Sequence, residues 1–322
     1  MHLLLIGYSR IARKRIVGAL AASGQVAALD IASEASAAAA RAEVNIPGQV
    51  FDSYACALEK SNAELVYISL PNSLHATWAE QALRSGRHVM VDKPGCTAYD
   101  DARRLCELAQ TKRLLLAEAN AFSYHPQIER VNDAFRTAAT APTRITALFS
   151  FPPLKEDDFR YQERHGGGAL NDLGPYAISA GTVFFRGYPY EIFCRINSRA
   201  ENGIETAFSI AALYSRGRSM VGHFGFDTEY QNTITVLGPS LCLRFERVFT
   251  ITPDCANTLH IRRKDQSAEE VVPPADCFLN FFNHMFAACE RRRFDELYER
   301  WLAQAAALDL LKRAAHRKEN DD

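Results

Sequence analysis

An α/β chain of two domains is what this sequence predicts: a doubly wound parallel sheet, then an α+β domain on an open, mostly antiparallel sheet. Three observations carry that expectation. Over the first third, short apolar runs alternate with amphipathic stretches, and each parallel connection needs such a crossover. From Thr143 to about Val272 apolar runs follow one another without helices between them, which suits antiparallel pairing. The length of 322 residues accommodates two domains at roughly 100–200 residues each. The division expected is 1–120 and 121–322.

The elements follow in order. "HLLLIG" is a strand, and "RIARKRIVGALAAS" places Ile11, Ile16, Val17 and Leu20 at helical spacing. "QVAALD" is a second strand, followed by the alanine-rich helix "SEASAAAARAEV". "AELVYISLP" is the third recognisable strand, then comes the helix "HATWAEQALRSG" with Gly86 as its C-cap. "HVMVDKP", the helix "YDDARRLCELAQTK" and the strand "LLLAEAN" complete the first domain. "HPQIERVNDAFRTA" bridges to the second, with Pro126 in its first turn. The strands there are "TRITALFSF", "YEIFCRINSR", "IETAFSIAALYS", "RSMVGHFGF", "NTITVLGP" and "LCLRFE". Two helices follow, "CFLNFFNHMFAACERR" and "ELYERWLAQAAALDLLKRAAHR", and the charged "KENDD" is expected to fray. Phe278, Phe281, Phe282 and Phe286 have helical spacing and fit a core or a subunit interface.

Composition narrows the function classes. Hydrophobic residues make up 48% and charged ones 23%, an ordinary globular balance. Lys plus Arg (37) nearly cancel Asp plus Glu (38), so no strong field favours nucleic acid or anionic membranes. The run "ERRRF" (290–294) fits a solvated helix end better than a nucleic-acid patch. Eight cysteines without a C-x-x-C pair are expected to be reduced thiols, and no metal site is expected. The opening "MHLLLIGYSR" has no basic region before an apolar run too short for a signal or membrane helix. A cytoplasmic protein is the expectation.

Two clusters carry candidate chemistry. The first strand runs into "GYSRIA", where Gly7 and Ala12 occupy the outer positions of a G-x-G-x-x-G/A dinucleotide fingerprint and Ser9 replaces the middle glycine. A serine there costs some backbone approach but brings a hydroxyl that can donate to a phosphate. The helix N-terminus behind it, beginning at Arg10 and Ile11, offers N–H groups to the same anion. Asp30 ends the second expected strand, placed to accept hydrogen bonds from an adenosine ribose and to repel a 2′-phosphate. That favours NAD, with NADP as the alternative and Arg10 as its compensating charge. An incidental glycine on a bare α/β scaffold competes with this view. The tripeptide Asp92–Lys93–Pro94 closes another strand at the carboxyl end, where ligands of parallel sheets bind.

The second cluster is "FPPLKEDDFRYQERHGGGALNDLGPYAIS". Three glycines, Gly166 to Gly168, open a helix on which Asp172 and Tyr176 are four residues apart and so share a face. Pro175 between them predicts a bend or a loose first turn. An acid and a phenol on one face suit a polar substrate. An acid favoured by the helix dipole beside a half-buried tyrosine is the competing explanation.

Taken together, "VDKP" after a strand and "GGGALNDLGPY" about 80 residues on resemble the glucose–fructose oxidoreductase / inositol dehydrogenase family (Gfo/Idh/MocA) over nearly the whole chain. "GYSRIARKR", "AFSYHPQ" and "FPPLKEDDFRY" are most similar to its nucleotide-sugar 3-ketoreductases. The resemblance implies an N-terminal Rossmann domain and an NAD(P)-dependent transfer of hydride between nicotinamide and a sugar ketone or hydroxyl. Lys93 would reach the reacting oxygen, Asp92 would face the cofactor side, Tyr176 would donate the proton, and Asp172 would hold a substrate hydroxyl or orient Lys93. Leu70, Pro71, Asn72 and His75 would line the nicotinamide ribose, with Asn120 near the same ring. Arg160 would reach cofactor or substrate, and His125 the sugar. For His75 and His125 a plain helix-start role competes, and for Arg160 a surface ion pair. The partners implied are a sugar or nucleotide sugar and a second copy of the chain in a homo-oligomer. A cyclitol or free-sugar dehydrogenase and a non-catalytic nucleotide or sugar sensor stand as alternative functions.

Overall fold

Apolar strands buried on both faces form the first of two sheets in the computed structural model, which describes residues 1–34 and 37–317. In order, the elements of the amino-terminal region are β1 (His2–Ile6), a π turn (Ala12–Ile16) running into α1 (Val17–Ala22), β2 (Ala28–Ala32), α2 (Ala37–Glu43), β3 (Val50–Phe51), α3 (Tyr54–Lys60), β4 (Leu65–Ile68), α4 (His75–Arg84), β5 (His88–Asp92), α5 (Tyr99–Lys112) and β6 (Leu116–Ala119). The strand order is β3-β2-β1-β4-β5-β6, and every pair is parallel. This is the doubly wound Rossmann arrangement, whose order reverses between β1 and β4 and opens a crevice at the strands' carboxyl ends. Leu3, Leu4 and Leu5 of β1, all of β4, and Val89 to Val91 of β5 are buried, as helices on both faces require.

The second sheet is built from β7 (Arg144–Ser150), β8 (Glu191–Arg199), β9 (Glu205–Tyr214), β10 (Arg218–Gly225), β11 (Gln231–Leu237), β12 (Cys242–Glu246), β13 (Asn257–Arg263) and β14 (Gln266–Val272). Before β7 lies α6 (Pro126–Thr137); between β7 and β8 come α7 (Ala169–Asp172) and α8 (Gly174–Phe185). The order is β14-β13-β12-β11-β7-β10-β9-β8. All pairs are antiparallel except β7 with β10. That parallel pair is bridged by the long excursion through α7, α8 and two strands, which supplies the required crossover. One face packs a core of Phe208, Phe224, Phe245, Met220 and Ile234 with Ala177 and Ile178 of α8. Alternate residues such as Phe193 and Val221 stay exposed, as period-two strands with one covered face require.

Two helices end the described chain, α9 (Cys277–Arg291) and α10 (Asp295–Ala315). The chain divides into two compact units, 1–120 with 278–305, and 121–277 with 306–322. Residues 278–305 thus cluster with the first unit, whereas the linear division had placed them with the second. The cause is apolar: Phe281, Phe282 and Phe286 are fully buried, and Phe282 meets the Tyr67 ring of β4 edge-on. The helical spacing of these aromatics marked core. Two short elements, β3 and α3, and the terminal strands β13 and β14 had no distinct pattern in the sequence. The residues 35–36 of the alanine-rich helix and the charged tail 318–322 lie outside the described residues.

Candidate active site

At the carboxyl end of β1 the chain turns at Gly7, with φ +93°, and a Cβ there would come within 2.2 Å of the Ser69 carbonyl oxygen. Only glycine fits that left-handed turn against β4. Behind it Ser9 caps the helix, its Oγ accepting from the Ala12 amide at 3.1 Å. The same oxygen lies 2.7 Å from Ser69 Oγ, and Ser69 donates to Asp92 Oδ2 at 2.6 Å. With the Ser69 hydrogen spent on Asp92, Ser9 must be the donor between the two hydroxyls. This corrects the expectation that the Ser9 hydroxyl points to a phosphate: it is turned inward as part of a relay to the Asp92 turn. Arg10 and Ile11 are exposed at the helix start. A glycine turn, a helix N-terminus and the β1–β4 crevice together fit a dinucleotide.

Asp30 requires a second correction. It lies inside β2, opposite Leu4 of β1, and is 1% exposed. Its carboxylate accepts from the Gln49 amide at 2.8 Å and from Ser61 Oγ at 2.6 Å, and pairs with His2 Nε2 at 2.9 Å. A side chain so enclosed does not meet a ribose. The strand continues to Ala32, and past it come Ser33, buried, and Glu34, exposed. Burial, together with the Glu34 charge, raises the Tyr54 phenol, so Glu34 and Tyr54 are neighbours at this strand end. The apolar continuation "IA" after Asp30 was the signal that the strand ran on.

The Asp92–Lys93–Pro94 turn sits where the sequence placed it, at the carboxyl end of β5, whose last residue is Asp92. Asp92 accepts from Tyr67 Oη at 2.5 Å and from Ser69 Oγ at 2.6 Å. Both carboxylate oxygens therefore engage the sheet, correcting the expectation that they face a cofactor. Burial raises its pKa, against the lowering effect of those two hydroxyl donors. His75, fully buried, has Nδ1 2.7 Å from the Pro94 carbonyl and Nε2 2.8 Å from the Leu70 carbonyl. It ties the Lys93 turn to the end of β4 instead of lining a ribose. Burial lowers its pKa, and the two carbonyls and Asp92 oppose that. Lys93, Leu70 and Pro71 are half-buried and Asn72 is buried. Asn120, also half-buried, donates its amide to the Glu118 carbonyl at 2.9 Å. Glu118 itself was missed: its Oε2 accepts from the Gly95 amide at 2.8 Å. A carboxylate inside the run "LLLAEAN" was the available signal.

In the second unit, Gly168 has φ +97° and a Cβ there would meet Glu205 Oε1 at 2.4 Å. The glycine run thus lets α7 start hard against β9. The helix stops at Asp172 and restarts at Gly174, the break that Pro175 predicted. Asp172, buried, accepts from Arg160 Nε at 2.6 Å, and Arg160 also pairs with Asp158 at 3.2 Å. Burial works to lower the guanidinium pKa, but the two carboxylates outweigh it and raise it. Arg160 is thus an anchored group rather than a surface ion pair. Tyr176 is half-buried in an aromatic cluster, its ring 5.2 Å from Phe149, 5.5 Å from Phe249 and 5.9 Å from Phe122. His125 caps α6, its Nδ1 accepting from the Gln127 amide at 3.2 Å, so the helix-start role holds for that nitrogen. Among the described residues no cluster of His, Cys, Asp and Glu could hold a metal ion, and no helix is long and apolar enough to cross a membrane.

Comparison with known proteins agrees with this frame. Residues 1–120 match the model of the oxidoreductase family with an NAD-binding Rossmann fold, and residues 140–241 match the GFO/IDH/MocA C-terminal domain. A dTDP-3,4-didehydro-2,6-dideoxy-alpha-D-glucose 3-reductase from Actinomadura kijaniata is 32% identical, over 97% of this chain and 94% of that protein. The crystal structure of a 3-ketoreductase from the same organism, in complex with NADP and TDP-benzene, superposes with a TM-score of 0.90 at 29% identity, covering 98% of each chain. Lysine-to-alanine and tyrosine-to-phenylalanine variants of that enzyme, likewise in complex with TDP-benzene and NADP, superpose with TM-scores of 0.87 and 0.90 at 27% and 29% identity, again over 98% of each chain.

Proposed function

Because the chain belongs to the GFO/IDH/MocA family of NAD(P)-dependent oxidoreductases, we propose that it is a nucleotide-sugar 3-ketoreductase acting on a dTDP-linked keto sugar. The observation that carries this is 32% identity, extending over 97% of the chain, to a reductase of that class. Unit 1 takes the dinucleotide at the ends of β1, β2 and β4, and unit 2 takes the sugar.

A nicotinamide held there would supply the hydride. Hydride addition to the ketone carbon moves the carbonyl electron pair onto oxygen. The Lys93 ammonium stabilises that developing charge, the electrostatic contribution usually largest in catalysis. Tyr176 donates the proton, an assistance typically worth about 10²–10⁴-fold. Asp172 and Arg160, locked together, form one polar anchor for the sugar end, and His125 is a further candidate contact for it. Gly7, the amides behind Ser9, Arg10 and Ile11 receive the pyrophosphate, and Leu70, Pro71, Asn72 and Asn120 border the ring.

Glu34, exposed past β2, would repel a 2′-phosphate and accept ribose hydroxyls, so NADH is the favoured reductant here although the related crystal structures hold NADP. Reduced nicotinamide, nucleotide sugars and eight free cysteines fit the cytoplasm, and Phe193 and Val221 on the open sheet face fit a homo-oligomer.

The test is turnover of dTDP-3-keto sugars with NADH and NADPH by the wild type, Lys93→Met and Tyr176→Phe. Lys93→Met should lose at least about 10³-fold in kcat and Tyr176→Phe about 10²-fold. Full activity in both variants would remove these residues from the reaction.

A further inference from the structure

Glu118 has no part in the reaction as proposed, yet it sits beneath the turn that carries Lys93. It lies on β6 opposite Val91 of β5, and its Oε2 holds the Gly95 amide at 2.8 Å. Its other oxygen, Oε1, is enclosed with no hydrogen-bond partner among the described residues. The Trp301 ring closes the same space, since a Cβ on Gly95 would come within 2.6 Å of it. Trp301 is itself fixed by its indole N–H to the Ala102 carbonyl at 3.0 Å. A glutamine could hold the Gly95 amide equally well, and leaving a carboxylate oxygen buried and unpaired carries a desolvation cost. What the carboxyl adds is charge beside Lys93, whose ammonium acts directly on it.

Resting on the assignment of Lys93 to the reacting oxygen, we propose that Glu118 is a positioning residue for Lys93: it fixes the Lys93–Pro94–Gly95 turn through the Gly95 amide, and its proton occupancy sets how much of the ammonium field reaches the substrate. Burial pushes the Glu118 carboxyl up to about 7, against the lowering effects of the Gly95 amide and Lys93. Ionised Glu118 compensates the Lys93 charge; protonated Glu118 leaves that charge to the developing alkoxide. Reduction is therefore faster on the acid side of this titration.

The other charged groups around the turn are identifiable. Cys96, in the same loop, faces Glu118 and Asp101 of α5, and burial keeps its thiol protonated. Asp92 and His75 also feel the Lys93 charge and act on each other. Glu118→Gln leaves all of these in place while keeping an acceptor for Gly95, so it isolates the Glu118 proton.

Two readouts decide the matter. In the enzyme without ligands, lysines labelled by ¹³C reductive methylation, with the Lys93 signal assigned from Lys93→Arg, should show an inflection near neutral pH that vanishes in Glu118→Gln. In turnover, the ratio of kcat at pH 6 to that at pH 8 should fall by at least about threefold in Glu118→Gln, with the sugar KM changed less than about twofold. Glu118→Ala, which also loses the Gly95 contact, should lower kcat by about tenfold. A Lys93 titration identical in wild type and Glu118→Gln would overturn the proposal. The spectroscopic readout needs no substrate, so failure of the ketoreductase assignment would appear separately, as absence of wild-type turnover.

Discussion

Asparagine at position 30 separates what the sequence suggested from what the structure shows. Asp30 is 1% exposed and accepts two hydrogen bonds, from the Gln49 amide and from Ser61 Oγ, with His2 Nε2 2.9 Å away. Replacing one carboxylate oxygen by an NH₂ group sets a donor against a donor and removes the charge from the remaining bonds. Hydrogen bonds to a charged acceptor contribute about 1.5–3 kcal/mol each, and stranding a buried donor costs about 1–3 kcal/mol. Asp30→Asn should therefore destabilise its unit by about 2–4 kcal/mol. At about 2–4 °C per kcal/mol for a unit of this size, the melting temperature should drop by roughly 4–16 °C. Thermal melts measure the first effect, and quenching of protein fluorescence by NADH measures the second, affinity at a temperature where the variant is folded. The NADH Kd should change less than about twofold, since nothing in this carboxylate reaches past the strand end. A variant that melts like the wild type but binds NADH tenfold more weakly would show that Asp30 does meet the ribose, and the argument would be refuted.

Two further outcomes follow from the same geometry. Glu34→Arg should shift the ratio of NADPH to NADH affinity toward NADPH by about tenfold, about 1.4 kcal/mol, because the group past the end of β2 changes from repelling to attracting a 2′-phosphate; an unchanged ratio would place cofactor discrimination elsewhere. Glu118 should also mark the pH dependence of stability: its folded pKa of about 7 lies above the ordinary 4.5, so the folded state holds its proton more tightly than the unfolded state. That stabilisation is complete below about pH 4.5 and is lost as pH rises through 7, a change of about 3 kcal/mol at 1.36 kcal/mol per pH unit. Urea midpoints of Glu118→Gln should lack this slope between pH 5 and 8.

The fold was legible wherever a repeating physical constraint wrote itself along the chain. "HLLLIG", "AELVYISLP" and "HVMVDKP" are apolar because each strand is covered on both faces, and that pattern survives as β1, β4 and β5. The short β3 and α3 were hidden because a two-residue strand has no period to detect. The placement of residues 278–305 in the first unit was invisible because helical spacing reveals that a face is buried but not against what. The aromatic helix and Tyr67 are more than 200 positions apart, yet their rings pack together.

The site divides along the same line. By itself the sequence determined the positions that depend on local chain geometry: Gly7 at a left-handed turn, Lys93 at a strand's carboxyl end, Pro126 in a helix's first turn, and the break that Pro175 makes before Tyr176. Tertiary structure alone decided where each polar group spends its hydrogen bonds. Ser9 turned from phosphate to Ser69, Asp30 from ribose to Gln49 and Ser61, Asp92 from cofactor to Tyr67, and Glu118 emerged beneath Gly95. A backbone conformation is set by neighbours along the chain, so residue type encodes it. A buried hydrogen bond is set by whichever partner the fold brings within about 3 Å, and those partners here lie 19 to 60 residues away.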